Sequence, residues 1–192
     1  SVCERFARAG YMALAPDVYH GDTFDYADRE RAIARLNEVD DDVAMREVGA
    51  ALDVLVAQGA RDGRLAVIGF CMGGRLAFLA NAVHGSRLAA SVAFYGGGIA
   101  PAVPRGKRKP LVDRAADLGA PQLLVYGGRD ASIASDEHAR IAKALSDANK
   151  RSSSWRMSVE RSLVTSPISW PTEVPSTSGR PASVVGVAML PL

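Results

Sequence analysis

Residues 65–75 of this 192-residue chain read LAVIGFCMGGR, and this stretch decides the fold. Its first six residues form a short apolar run, which is typical of a parallel strand buried on both faces. From Gly73 to Val83 the apolar side chains recur at helical spacing, as Leu76 and Ala80 do. Cys71 therefore lies at the junction between a predicted strand and a predicted helix.

The composition of this junction predicts a very tight turn that exposes a nucleophile. Such a turn brings together the residues two before and two after the nucleophile, and both are glycine here, Gly69 and Gly73. The backbone N–H of Met72 is a candidate oxyanion-hole donor. The N-terminus of the predicted helix favours the thiolate form of Cys71. The alternative is a buried structural cysteine in a glycine-rich turn.

Strands and helices alternate along the chain on both sides of this stretch. The predicted strands are 11–15, 65–70, 88–95 and 121–126, and the predicted helices are 1–9, 29–58 with a break near 40–42, 73–83 and 135–148. This order predicts an α/β fold with a mostly parallel sheet and helices on both faces. Ligand chemistry in such folds gathers where the strands end. Asp17, Cys71, Tyr95 and Asp130 lie at or just after predicted strand ends, so one edge of the sheet is expected to hold them.

Residues 151–192 differ in composition from the rest of the chain. About a third of them are Ser or Thr, and five prolines recur between positions 167 and 191. We interpret residues 1–150 as a partial α/β domain and residues 151–192 as an irregular or disordered tail.

The overall composition indicates a globular protein with no obvious polyanionic partner. Hydrophobic residues make up 48% of the chain, charged residues 23%, and the formal net charge is +2. This balance predicts neither a nucleic-acid nor a membrane partner, and the basic run at 105–109 is interpreted as a solvated loop. Cys3 and Cys71 form no metal-spacing pattern or disulfide framework, which favours a reducing, cytoplasmic location. The composition leaves the oligomeric state open.

Four motifs lie in order along about residues 1–150: APDVY at 15–19, GFCMGGR at 69–75, FYG at 94–96 and YGGRD at 126–130. Together they resemble the dienelactone hydrolase, or carboxymethylenebutenolidase, family. The segment at 69–75 resembles the family's nucleophile turn, and APDVY at 15–19 resembles its Pro-Asp-Leu-Tyr strand end. FYG at 94–96 resembles another strand end, and YGGRD at 126–130 resembles the Gly-Gly-x-Asp turn that carries an acid. The resemblance implies an α/β-hydrolase fold that is incomplete at both ends of this chain.

The resemblance also implies a chemistry, the hydrolysis of a lactone or small carboxylic ester with no cofactor and no metal ion. Cys71 is then the nucleophile, a histidine is the base, and Asp130 is the acid that orients that base. Tyr95 and His20 are candidate substrate contacts. The alternatives are that Asp130 caps the next helix and that Tyr95 is a core aromatic residue.

The sequence does not identify the base. The family places its histidine after one more strand, whereas the histidines of this chain are His20, His84 and His138. Three explanations are open: a changed reading frame after about residue 150 with a shortened chain start, an inactive relative that still binds a ligand, or an active enzyme that uses His138 or His20. A redox role for Cys71 is a further alternative, although the chain has no resolving cysteine near it in sequence.

Overall fold

The computed structural model describes residues 1–25, 27–104, 108–157 and 183–187. The helices are α1 Val2–Arg8, α2 Arg29–Glu38, α3 Asp41–Ala57, α4 Met72–His84 and α5 Ser135–Asp147. The strands are β1 Met12–Leu14, β2 Leu65–Phe70, β3 Leu88–Phe94, β4 Gln122–Gly127, β5 Ser152–Met157 and β6 Ser183–Val187. Among these helices, none has both the length and the apolar character that crossing a bilayer requires.

The strands form one parallel sheet in the order β1-β6-β2-β3-β4-β5. Each described pairing between neighbouring strands is parallel. Parallel neighbours need long crossover connections, and α4 and α5 lie in those between β2 and β3 and between β4 and β5. The α/β architecture predicted from the sequence is confirmed. The ends of β2, β3 and β4 consequently face the same edge of the sheet.

The predicted helix break near residues 40–42 separates α2 from α3. Asp40 is the N-cap of α3, and its Oδ1 accepts hydrogen bonds from the N–H groups of Asp42 and Val43, each at 2.9 Å. These bonds satisfy two of the N–H groups that a helix start leaves without an intrahelical acceptor. The helix then buries one face, with Val48 and Leu52 fully inaccessible to solvent.

The core lies between the central strands and α4, which directly follows β2. Leu65 and Val67 of β2 and Leu76 and Phe78 of α4 have no exposed surface. Burying each such side chain contributes about 1.5–3 kcal/mol of transfer free energy. The turn between β2 and α4, which carries Cys71, therefore joins two elements that are buried in the core.

The segment 151–192 differs from its expected irregular character in the two parts that the structure describes. β5 pairs with β4 from Gln122 opposite Ser152 to Gly127 opposite Met157. β6 lies between β1 and β2 and pairs with both. Neither of these two strands contains proline, so each of their residues keeps the backbone N–H that a ladder uses. Residues 158–182 and 188–192 lie outside the described residues.

Candidate active site

The turn between β2 and α4 holds Cys71 in an uncommon backbone conformation. Its φ is 54° and its ψ is −119°, a region that non-glycine residues rarely occupy. The Cys71 N–H donates to the carbonyl of Phe94 at 3.0 Å, and the Arg75 N–H donates to the carbonyl of Cys71 at 3.2 Å. The thiol is partly exposed at the N-terminus of α4.

Two glycines make this turn sterically feasible. A Cβ built on Gly69 would lie 1.8 Å from the carbonyl oxygen of Gly73, and one on Gly74 would lie 2.6 Å from that of Phe94. The neighbours are backbone atoms, which cannot rotate away as a side chain can. The structure therefore brings Gly69 and Gly73 together as the sequence predicts. Gly74 lets α4 pack directly on the end of β3.

Two tyrosines lie within electrostatic reach of Cys71. Burial raises the pKa of Tyr95, and the nearby Cys71 raises it further, because a phenolate and a thiolate repel each other. Burial and Cys71 likewise raise the pKa of Tyr19, and the positive charges of Arg35 and Arg108 lower it in part. Tyr95 also has a positive φ of 39°. The ends of three strands thus bring Tyr19, Cys71 and Tyr95 into one region.

Arg108 approaches the same turn from the loop after β3. Its Nη1 donates to Met72 Sδ at 3.3 Å, and its Nη2 donates to Asn37 Oδ1 at 3.1 Å. Its charge also acts on Tyr19. The interpretation of the basic run at 105–109 as a solvated loop did not identify Arg108 as part of this region. A run of charged residues in a sequence does not show which surface of the folded protein it contacts.

Arg75, in the first turn of α4, is buried and connects three parts of the chain. Its Nη1 and Nη2 donate to the two carboxylate oxygens of Asp41 at 2.5 and 2.8 Å, and Nη2 also donates to the carbonyl of Lys109 at 2.8 Å. Only 1% of Arg75 is exposed. A paired, bidentate guanidinium is the form in which a buried charge is tolerated. The segment that carries Arg108 is thereby attached to the helix that follows Cys71.

Asp130 lies in the turn between β4 and α5. Its Oδ1 accepts from the hydroxyl of Ser132 at 2.6 Å and from the Ser132 N–H at 2.9 Å. The Ser132 hydroxyl is the largest of the effects that hold the pKa of Asp130 below its ordinary value, and the charge of His138 adds a smaller lowering. The carboxylate therefore organises its own turn, as an Asx-type acceptor does.

His138 lies next to Asp130. Both residues line a cavity of about 410 Å³ at the start of α5, whose lining residues do not include Cys71. The His138 ring stacks on Tyr126, with ring centroids 4.0 Å apart. The structure thus brings Asp130 together with His138, one of the histidines that the sequence left as a candidate base. It brings Cys71, Met72 and Tyr95 together in a separate region.

His20 and His84 each contact helix α3. His20 follows β1, and its Nε2 lies 2.5 Å from Oε1 of Glu47 on α3. His84 ends α4, where its Nε2 lies 2.9 Å from the carbonyl oxygen of Met45. Within the described ranges, no group of three His, Cys, Asp or Glu side chains is arranged to hold a metal ion.

Comparisons with known proteins agree with this architecture. The sequence profile described as the dienelactone hydrolase family matches residues 1–153, so the chain belongs to the dienelactone hydrolase family. A protein of Salmonella typhimurium whose name assigns it as a carboxymethylenebutenolidase is 37% identical over 156 residues, which cover 78% of this chain and 56% of that protein. The carboxymethylenebutenolidase of Rhodococcus opacus is 32% identical over 145 residues, which cover 74% and 54%.

A solved structure supports the same assignment at the level of the fold. A protein of Klebsiella pneumoniae described as a dienelactone hydrolase is similar with a TM-score of 0.74 at 32% identity. The similarity covers 82% of this chain and 66% of that chain. The chain spans about half the length of the curated relatives that it matches. The family resemblance predicted from the four motifs is confirmed.

Proposed function

We propose that this chain carries the nucleophilic centre of a hydrolase that cleaves a lactone or a small carboxylic ester through Cys71. The observation that carries the proposal is the Cys71 turn, with its positive φ and its partly exposed thiol at the N-terminus of α4. The thiolate is the nucleophilic form of cysteine, and the oriented N–H groups at a helix N-terminus can stabilise the oxyanion that its attack produces. Non-glycine residues held in such strained backbone conformations are common at functional sites.

The proposed reaction proceeds through a thioester. The Cys71 thiolate attacks the carbonyl carbon, and the Met72 N–H donates to the oxyanion that forms. Collapse of this intermediate breaks the C–O bond, and the leaving alkoxide takes a proton from the protonated base. Water, deprotonated by the same base, then attacks the thioester, which releases the carboxylate and regenerates the thiolate.

Asp130 is the proposed acid that orients the base. The residue that acts as the base is left open. His138 is the better-placed candidate because it lines a cavity with Asp130, whereas His20 contacts Glu47. The hydrogen bonds of Asp130 to Ser132 favour the alternative, a chain that binds a ligand without hydrolysing it.

The relatives suggest an acidic substrate. The name carboxymethylenebutenolidase describes action on a butenolide, which is a lactone, bearing a carboxymethylene group. We extend this substrate class to the present chain because Arg108 lies beside Met72 and acts on Tyr19, where it is placed to bind a carboxylate. Tyr95 and His20 are the further proposed substrate contacts. A reducing compartment keeps thiols free, and we therefore propose the cytoplasm.

Hydrolysis of p-nitrophenyl acetate and of a carboxylate-bearing butenolide tests the proposal. Cys71→Ala and Cys71→Ser should lower turnover of both compounds at least about 100-fold, since they remove the nucleophile. Cys3→Ser is the matched control and should retain the parent rate. A parent rate equal to the uncatalysed background would reject the hydrolase, and thermal stabilisation by the butenolide would then favour the binding protein.

A further inference from the structure

Glu137, in the first turn of α5, is a buried carboxylate that the proposed reaction does not use. Only 2% of the residue is exposed. Its Oε1 accepts hydrogen bonds from the N–H of Gly98 at 2.8 Å and from the N–H of Ala100 at 3.2 Å. Burying a carboxylate is costly unless such bonds compensate it. A fully buried acid that accepts two N–H groups from another element therefore has a defined partner.

That partner is the loop that follows β3, residues 96–100, named here the β3 loop. The loop begins directly after Tyr95 and packs on the start of α4. A Cβ on Gly96 would lie 2.7 Å from the carbonyl carbon of Gly74, so the two backbones are in direct contact. A Cβ on Gly98 would meet the Arg75 side chain at 3.7 Å. The β3 loop thus lies between the first turn of α4 and Glu137.

A second residue of α5 contacts the same loop. The Nε of Arg140 donates to the carbonyl of Ala100 at 2.8 Å. Helix α5 therefore binds both N–H and C=O groups of the β3 loop. The helix also follows the turn that carries Asp130, so it connects the loop after β3 with the turn after β4.

We propose that Glu137 is a positioning residue, which fixes the β3 loop, and with it Tyr95, against Cys71 so that the substrate site keeps its shape. This inference rests on the proposed role of Cys71. Without the carboxylate, two buried N–H groups lose their acceptor, and the loop must turn them toward water. That movement turns the Tyr95 side chain, because Tyr95 directly precedes the loop, while the Tyr95 N–H stays bonded to Val125 and the backbone of the Cys71 turn, held by Phe94 and the glycines, remains in place.

Saturation kinetics of Cys71 alkylation by N-phenyl iodoacetamide test this role without requiring hydrolysis. In a Cys3→Ser background Cys71 is the single thiol, so KI reports binding of the phenyl ring and kinact reports the reactivity of the thiol. Glu137→Ala should raise KI about tenfold, because a displaced Tyr95 no longer packs against the phenyl ring, and should leave kinact within about twofold. Glu137→Gln keeps an acceptor oxygen and should stay within about threefold of the parent KI.

The matched control is Asp147→Asn, an exposed acid at the other end of the same helix that bonds Lys143 rather than Arg140 or the loop. It should leave both constants at the parent values. If Glu137→Ala does not fold, Arg140→Met replaces it, and a raised KI again supports the proposal.

An unchanged KI in the folded variant overturns the positioning role. The role is also overturned if KI rises while kinact falls in Glu137→Ala and the same changes appear in Glu137→Gln. That pattern indicates general unfolding. Ester turnover measured on the same samples separates the two proposals. A parent that is alkylated normally but does not hydrolyse esters contradicts the proposed function and leaves the KI comparison valid.

Discussion

At the scale of single residues, the backbone around Cys71 determines how the thiol is presented. The turn that gives Cys71 its positive φ brings the backbone on its two sides into very close contact. The residues that meet there, Gly69 and Gly73, are both glycine. The sequence made this turn predictable because the glycine spacing is local. It did not reveal Arg108 or Glu137, since their partners Met72, Gly98 and Ala100 are distant in sequence.

Gly69→Ala tests the steric requirement. The added Cβ would lie 1.8 Å from the Gly73 oxygen, so the turn cannot form as it is. We expect a loss of at least about 4 kcal/mol in the free energy of unfolding, measured by urea denaturation, or failure to fold. Gly127→Ala is the control: its Cβ would meet Asp130 at an ordinary 3.6 Å, and its cost should stay below about 1 kcal/mol. Equal stabilities for the two variants would refute the steric argument.

Ser132→Ala tests the origin of the low pKa of Asp130. The Ser132 hydroxyl is the largest cause of the lowering, so its removal should move the carboxyl pKa up toward the ordinary value. A lowered native pKa adds stability above the unfolded pKa, and this stability is lost as pH falls through the native pKa. The variant should therefore lose less stability on acidification. A 13C NMR titration of the carboxyl carbon measures the shift, Ser146→Ala should leave it unchanged, and an unmoved pKa in Ser132→Ala would contradict this assignment.

At the scale of elements, local pattern identified most of the fold. The predicted strand 65–70 coincides with β2, and the acidic run near Asp40 separates α2 from α3 as expected. β5 and β6 were not predictable, because their stability comes from ladders with β4, β1 and β2 rather than from their own composition. Long-range pairing is the information that a local pattern lacks.

The Arg75–Asp41 ion pair joins the first turn of α4 to the first turn of α3. Asp41→Asn leaves a buried guanidinium without its charged partner, so it should cost about 3 kcal/mol in the free energy of unfolding. Asp42→Asn removes an acid from the same helical turn, where the side chain is exposed, and should cost about 0.5 kcal/mol. Thermal and urea unfolding of the two variants provide the comparison, and equal costs would show that the buried pair contributes nothing specific.

At the scale of the whole molecule, β6 joins β1 to the other described strands by lying between β1 and β2. β1 has β6 as its sole neighbour among the described strands. Val185 pairs with Leu14 on one side and with Val67 on the other, so a change there acts on both ladders.

Val185→Pro removes a ladder N–H from β6 and should detach β1. Hydrogen exchange followed by mass spectrometry should show loss of protection at Met12–Leu14, with β3 and β4 still protected. Ser154→Pro in β5 is the reciprocal control and should leave Met12–Leu14 protected. Protection of Met12–Leu14 that survives Val185→Pro would contradict the observed strand order.

The most direct test of the central claim is to trap the intermediate on Cys71. The chain is mixed with p-nitrophenyl acetate, quenched in acid within the first turnover, and mapped by peptide mass spectrometry. A thiol nucleophile predicts an acetyl thioester on Cys71 and none on Cys3, and the adduct should disappear in Cys71→Ala. Acetylation confined to Cys3 or to lysines, with Cys71 unmodified at every quench time, would contradict the account.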